Sequence, residues 1–238
     1  MKKSKTLKIN SVICFILTAV TVVGMGLVPV RAQTAEAART VIFYCVGSTL
    51  ESEDAEATNN LIEAMGTDYK ENINVIVMTG GAEDWFTPAE YLSGAESIDP
   101  TENQIWKLEG KRPGEEHGRM LLLEQQSTDS FMTDPDTLTL FIDYCYAKYP
   151  AERYDLIMWD HGGGPAYGFG EDYRGGELSL GETVKALSDS ELIKEGNIFE
   201  LIDYDACLMG SMEITAALSD YTDYLIDSGL QPPKNGLI

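Results

Sequence analysis

An unbroken apolar block, Leu156-Ile157-Met158-Trp159, stops at Asp160-His161-Gly162-Gly163-Gly164, and this junction constrains the chain more than any other stretch. The block is too short for a free-standing helix and has no polar alternation, so it reads as a strand covered on both faces. Such strands belong to parallel sheets, whose reactive groups lie just beyond the strands' carboxyl ends. His161 falls at that point, and the glycines after it let backbone come close to a substrate. Phe199 to Asp203 repeats the construction and runs through Tyr204-Asp205-Ala206 into Cys207. Between the two blocks there is room for a loop, a helix over about Leu180 to Leu192 and a turn. One right-handed crossover then sets the strands parallel, with His161 and Cys207 at one end of the sheet.

The rest of the pattern extends that sheet. Thr40 to Val46 reads as a first core strand with Gly47-Ser48-Thr49 as its turn, and Ile73 to Met78 as a second. A helix is expected over Asp54 to Met65, with Leu61, Ile62 and Met65 on its buried face. From Glu83 to Arg119 the pattern loosens, leaving Tyr91-Leu92 and Gln104 to Leu108 as short antiparallel strands. Asp134-Pro135 starts a helix that runs to about Lys148, since the aspartate caps and proline fits the first helical position. Tyr154 to Asp160 is the third core strand. The loop Gly162 to Gly176, with seven glycines, Pro165 and Arg174, is expected to be long, exposed and mobile. A crossover helix over Ser179 to Ser190, a strand over Phe199 to Asp203, a helix over Gly210 to Leu218 and a strand at Tyr224 to Ile226 complete the order. Alternation of this kind gives a three-layer α/β/α sandwich with a mostly parallel sheet.

Four lysines in Met1 to Lys8, the apolar Ile9 to Val30 and a small, polar Arg31 to Ala38 form a secretory signal pattern over residues 1–37, with cleavage near Ala37 or Ala38. The apolar stretch is also long enough to serve as an uncleaved amino-terminal anchor. Either way the domain, residues 38–238, faces outward, and its length suits a single core. With 17 Lys and Arg against 39 Asp and Glu, a net charge of −22, nucleic acid and anionic membrane are poor partners, while a basic substrate is attracted. Membrane contact then depends on the amino-terminal segment remaining attached.

Cys45, Cys145 and Cys207 are too few and too scattered for a disulfide scaffold or a zinc site. Cys45 lies in an apolar run and Cys145 follows Leu138, Phe141 and Ile142 at helical spacing, so both read as core thiols. Cys207 ends a strand; it is either a nucleophile or a third buried thiol. His117, between Glu116 and Gly118, reads as a solvated loop histidine, which leaves His161 as the candidate base. Thiol nucleophiles are commonly paired with a histidine that manages protons. No Gly-x-Ser-x-Gly elbow, His-Glu-x-x-His, phosphate-cradling loop or Cys-x-x-Cys competes with that pair.

A hydrophobic block followed by His-Gly, and another followed by Ala-Cys, resembles the peptidase group that includes caspases, gingipains and legumain. The fuller strings Asp160-His161-Gly162-Gly163-Gly164 and Asp205-Ala206-Cys207-Leu208-Met209 resemble the clostripain family of bacterial cysteine peptidases, over about Thr40 to Ile226. The resemblance implies a caspase-like fold and an endopeptidase that cleaves peptides or proteins after Arg, and less well after Lys. It implies Cys207 as nucleophile, His161 as acid–base, and the N–H groups of Gly162 and Cys207 as the oxyanion hole. Asp205 matches the acid at the floor of the specificity pocket, where a buried carboxylate suits a forked guanidinium better than an ammonium. Self-cleavage in the loop after the histidine would fall at Arg174. No cofactor is required for this chemistry. Some members depend on calcium, and Glu171, Asp172 and Glu177 are the nearest acids, although no calcium-loop motif is present. Family members continue past the fifth strand, whereas Ser228 to Lys234 does not resemble that continuation, so the domain is expected to be incomplete at its carboxyl end. A competing reading is a non-catalytic binding module or pseudopeptidase that keeps the sheet; selective labelling of Cys207 by an Arg-based electrophile separates the two.

Overall fold

The computed structural model describes residues 37–67, 72–126 and 130–229. The expected leader, residues 1–37, lies outside them except for Ala37, which is buried and bridges Ala151 in parallel. Among the described residues no helix is long and apolar enough to cross a membrane.

Eight strands form one sheet: β1 (Arg39–Val46), β2 (Ile73–Gly80), β3 (Leu92–Ser93), β4 (Asn103–Glu109), β5 (Arg119–Gln126), β6 (Tyr154–Trp159), β7 (Phe199–Asp205) and β8 (Thr222–Ile226). Their order is β3-β5-β4-β2-β1-β6-β7-β8. The five strands from β2 to β8 in that order are mutually parallel, and β4 runs antiparallel to both β2 and β5. Three helices of ten or more residues and four shorter ones complete the described chain: α1 (Ser48–Asp54), α2 (Glu56–Met65), α3 (Pro135–Lys148), α4 (Gly164–Tyr167), α5 (Leu180–Asp189), α6 (Glu191–Lys194) and α7 (Met212–Leu218).

The strands' own alternation divides the core into two layers. Ile42, Tyr44 and Val46 of β1, Ile76 and Met78 of β2, and Leu156 and Met158 of β6 face the α3, α5, α6 and α7 side. Phe43, Cys45, Val75, Val77 and Trp159 face the other side, where α2 packs Ala57, Leu61 and Met65. Central strands covered on both faces are apolar throughout, which is why they read as continuous blocks. Cys45 and Cys145 are fully buried in these layers, as expected, and burial pushes both thiols well above their usual range.

Several local expectations need correction. The helix expected over Asp54 to Met65 is α2, starting at Glu56; Asp54 instead ends α1, and Ala55 between the two adopts a left-handed conformation (φ 56°). Gly47-Ser48-Thr49 is not a free turn: Gly47 precedes α1, and Ser48 and Thr49 are its first two residues. The outer strands are longer and differently paired than expected: β5 was not anticipated, Tyr91 ends a short 3-10 turn, and β3 pairs with β5 in parallel. His117 is half-buried rather than solvated, its ring 4.4 Å from that of Tyr91. The loop after His161 is not exposed throughout, since Gly164, Gly168, Phe169, Gly170 and Asp172 are buried. It holds α4 and two isolated bridges, Gly162 to Phe169 and Phe169 to Leu178.

Candidate active site

Parallel pairing of β6 with β7 sets Trp159 opposite Asp205. His161 and Cys207 each lie two residues beyond that pair, so the two chain segments leave the sheet side by side. The Asp160 N–H donates to the Asp205 carbonyl across the gap (3.4 Å). Cys207 sits half-exposed on the turn that follows β7, and the next residue, Leu208, is left-handed (φ 61°). A non-glycine residue in that conformation carries strain, which is common where a turn presents a reactive group.

The glycines have a more specific reason than approach to a substrate. A Cβ at Gly162 would collide with the Cys207 carbonyl oxygen and stand 3.0 Å from Met209 Cγ. One at Gly164, which is itself left-handed (φ 67°), would meet the Leu208 carbonyl at 3.1 Å. The glycine loop therefore lies directly against the cysteine turn. Among the described residues neither the Gly162 nor the Cys207 N–H has a backbone acceptor outside the sheet and helices. A small cleft of ≈ 120 Å³ opens against the loop, lined by His161, Gly162, Gly163, Tyr167, Glu171 and Glu177 among others. A larger cleft of ≈ 330 Å³ lies at the opposite ends of the strands, among Glu152, Arg153, Ile198, Glu200, Asp223 and Tyr224. Arg153 and Arg39 there pair with Glu200, and no nucleophile is present, so we assign no chemistry to it.

Two groups that the sequence did not single out hold the histidine segment. The Ser48 hydroxyl donates to Asp160 Oδ1 (2.5 Å) and Thr49 Oγ1 lies 3.1 Å from His161 Nε2. Asp160 is buried (3% exposed), and its Oδ2 accepts from the Glu171 N–H (2.6 Å). Burial raises its carboxyl to about 7, against the opposing pull of the Ser48 hydroxyl and the backbone N–H groups of His161 and Glu171.

A family model described as the clostripain family matches residues 44–237. The chain belongs to the clostripain family. Its match runs beyond Ile226, where the resemblance read from the motifs ended. Clostripain of Hathewaya histolytica is 28% identical over an alignment of 196 positions, and the match covers 74% of this chain and 35% of clostripain itself. A secreted C11 cysteine protease from Bacteroides thetaiotaomicron, solved with an irreversible peptide inhibitor, superposes with a TM-score of 0.63 at 22% identity, covering 84% of this chain and 51% of its own. An inactive zymogen C11 protease from Parabacteroides distasonis gives 0.62 at 24% identity, over 85% of this chain and 51% of its own. These likenesses bear out the α/β, caspase-like fold. The chain spans about a third of the curated clostripain it matches and about half of each of those two solved structures.

Within this clostripain-family domain, two sequence expectations change. Asp205 is exposed, not buried; neighbouring atoms still desolvate its carboxyl enough to raise it. The half-buried carboxyl nearby is Asp203, pushed up to about 6 by burial and then by the charges of Asp205 and Asp227. Arg174 is not a free side chain on a mobile loop. Its guanidinium pairs with Asp172 (2.8 Å), donates to the Ser130 carbonyl (3.1 Å) and lies over the Phe131 and Tyr173 rings. Burial works to raise the Asp172 carboxyl, but Arg174 and the N–H groups of Arg174 and Met132 outweigh it, so its pKa is lowered. This commitment also removes Asp172 from any calcium set with Glu171 and Glu177, and among the described residues no cluster of three metal-ligating side chains forms.

Proposed function

We propose that this chain is the catalytic part of a secreted cysteine endopeptidase that cleaves after Arg, and less well after Lys, with Cys207 as nucleophile and His161 as acid–base. The observation that carries the reading is the equal offset of the two residues beyond one pair of adjacent parallel strands, with the glycine loop in contact with the cysteine turn. In this mechanism the Cys207 thiolate attacks the scissile carbonyl and His161 protonates the leaving amine. Water then hydrolyses the acyl-enzyme. The Gly162 and Cys207 N–H groups receive the oxyanion, and one such donor contributes about 3 kcal/mol of barrier stabilisation.

For specificity, Asp205 meets the guanidinium, and Asp203 and Asp227 add negative potential to the same end of the sheet. An exposed carboxylate discriminates less sharply between Arg and Lys than a buried one, so the preference for Arg rests on bidentate geometry. Self-processing after Arg174 belongs to the same reading. It requires the Asp172–Arg174 pair to open first, because a side chain held in an ion pair is not available to a specificity pocket. Secretion fits the signal pattern at the amino terminus and the secreted relative. The chemistry itself calls for no cofactor.

Hydrolysis of paired Arg and Lys reporter peptides, beside Cys207→Ala and His161→Ala variants, tests the assignment. Arg cleavage lost in both variants is the expected result. Cleavage that survives either substitution sinks the dyad, and a folded chain that cleaves neither peptide supports the non-catalytic reading instead. Intact mass tests processing: a cut at Arg174 that is absent from Cys207→Ala is expected, and an equal cut in both excludes self-cleavage.

A further inference from the structure

We propose that Thr49 is a positioning residue for His161: its hydroxyl accepts a hydrogen bond from Nε2–H, which leaves Nδ1 as the nitrogen that exchanges protons with Cys207. The catalytic consequence rests on the dyad reading above; the contact itself does not.

The argument begins with the corner where β1 meets α1. Ser48 stands in a left-handed conformation (φ 50°) with no glycine to ease it. Strain of this kind persists only where the surroundings over-determine it. Here the Gly47 and Ser48 N–H groups donate to the carbonyls of Gly80 (2.8 Å) and Gly81 (3.2 Å). The Ser48 carbonyl accepts from the Ser52 hydroxyl (2.8 Å), and Ser48 Oγ accepts from the Leu50 N–H (3.2 Å) while donating to Asp160. Ser48 and Asp160 are 1% and 3% exposed. Two consecutive residues of one segment thus clasp two consecutive residues of another: Ser48 takes Asp160, and Thr49 takes His161. Because β1 and β6 are neighbours in the sheet, with Cys45 opposite Trp159, both segments start from a fixed register. Thr49 is therefore held in place by its backbone, although its side chain is exposed.

The chemistry needs one ring nitrogen that never gives up its proton. Cys207 Sγ–H passes its proton to Nδ1, and the resulting imidazolium keeps Nε2–H on Thr49 Oγ1. The thiolate then adds to the carbonyl carbon. As the C–N bond breaks, Nδ1–H protonates the leaving amine. In the second half Nδ1 takes a proton from the attacking water and returns it to the departing sulfur. Nε2–H is unchanged throughout, so a neutral acceptor is sufficient, and the threonine's own proton is left to solvent.

The ring protons can be read directly. The chain has two histidines. The second, His117, has Nδ1 2.8 Å from the Gly118 carbonyl and is an internal reference held in the opposite tautomer. In full-length protein labelled with ¹⁵N-histidine, at a pH where both rings are neutral, His161 is expected as Nε2–H and His117 as Nδ1–H. Thr49→Ser should keep the His161 pattern. Thr49→Val, which keeps the shape and removes the hydroxyl, should give a measurable Nδ1–H share at His161 and leave His117 unchanged. In the reporter assay Thr49→Val should lower kcat about ten-fold at unchanged KM, with Thr49→Ser within about two-fold of wild type. The proposal is overturned by a wild-type His161 in the Nδ1–H form, by a Thr49→Val spectrum identical to wild type, or by an effect confined to KM. Absence of hydrolysis by the wild-type chain sinks the dyad reading alone, and the tautomer then decides the contact.

Discussion

At Gly162 a single hydrogen atom separates a packed site from a collision. The loop after β6 and the turn after β7 are in backbone contact, so the methyl group of Gly162→Ala has no flexible side chain to displace; it meets the Cys207 carbonyl itself. Overpacking of this kind costs about 1–3 kcal/mol, and relief requires the cysteine turn to move. Gly162→Ala is therefore expected to lower the melting temperature and to abolish labelling of Cys207 by an Arg-based electrophile. Gly181→Ala is the matched control: nothing lies within 4 Å of its added Cβ inside α5, and helix propensity alone should raise stability by up to about 1 kcal/mol. An equal effect of the two substitutions would show that the contact with Cys207 does not matter. That His161 and Cys207 leave the sheet at the same end was legible in the sequence, because each follows a strand of one parallel pair at the same offset. Thr49 was not, because a threonine after a strand looks like any turn residue and its partner lies 112 positions away. The exposure of Asp205 was equally hidden, since strand alternation says which face a residue takes but not what covers that face.

Among the elements, the five parallel strands and their crossover helices could be read from apolar blocks and caps. Ser179 and Glu182 form the reciprocal capping box that starts α5, and Asp134 caps α3. What escaped was conformation without a compositional mark. Ala55 separates α1 from α2 in a left-handed conformation that sequence reasoning reserves for glycine or asparagine. The segment 172–174 shows the same limit in reverse: glycine-rich surroundings suggested mobility, whereas the ion pair at its centre fixes it. The Asp172 side chain is 0% exposed and that of Arg174 14%. Removing one partner of such a pair leaves an uncompensated charge, a cost of about 3–5 kcal/mol. Arg174→Ala should therefore lower the urea midpoint sharply, and Arg174→Lys should fall between, since an ammonium cannot reach both Asp172 oxygens and the Ser130 carbonyl at once. A midpoint unchanged in Arg174→Ala would return this residue to the status of a free loop arginine.

For the whole molecule, the balance between buried carboxylates and surface charge sets how stability follows pH. Asp160 and Asp203 are raised to about 7 and about 6, whereas an unfolded aspartate titrates near ~3.9. The folded chain consequently takes up protons before the unfolded chain does, and stability rises as pH falls from about 7 towards about 4. Above that window both carboxylates are charged in either state and the gain is gone. Protonating a surface of net charge −22 relieves self-repulsion and acts in the same direction. Asp172 acts oppositely, but its lowered carboxyl loses its contribution only below the ordinary aspartate range. The melting temperature is thus expected to climb from pH 8 to about pH 5. Asp203→Asn, which has no proton to take up, should remove part of that climb. Asp160→Asn should flatten it too, but from a lower baseline, because an amide cannot accept from both Ser48 and the Glu171 N–H. A climb of full size in Asp203→Asn would mean that this carboxyl is better solvated in the folded chain than its surroundings require, and that Asp160 and bulk charge set the trend without it.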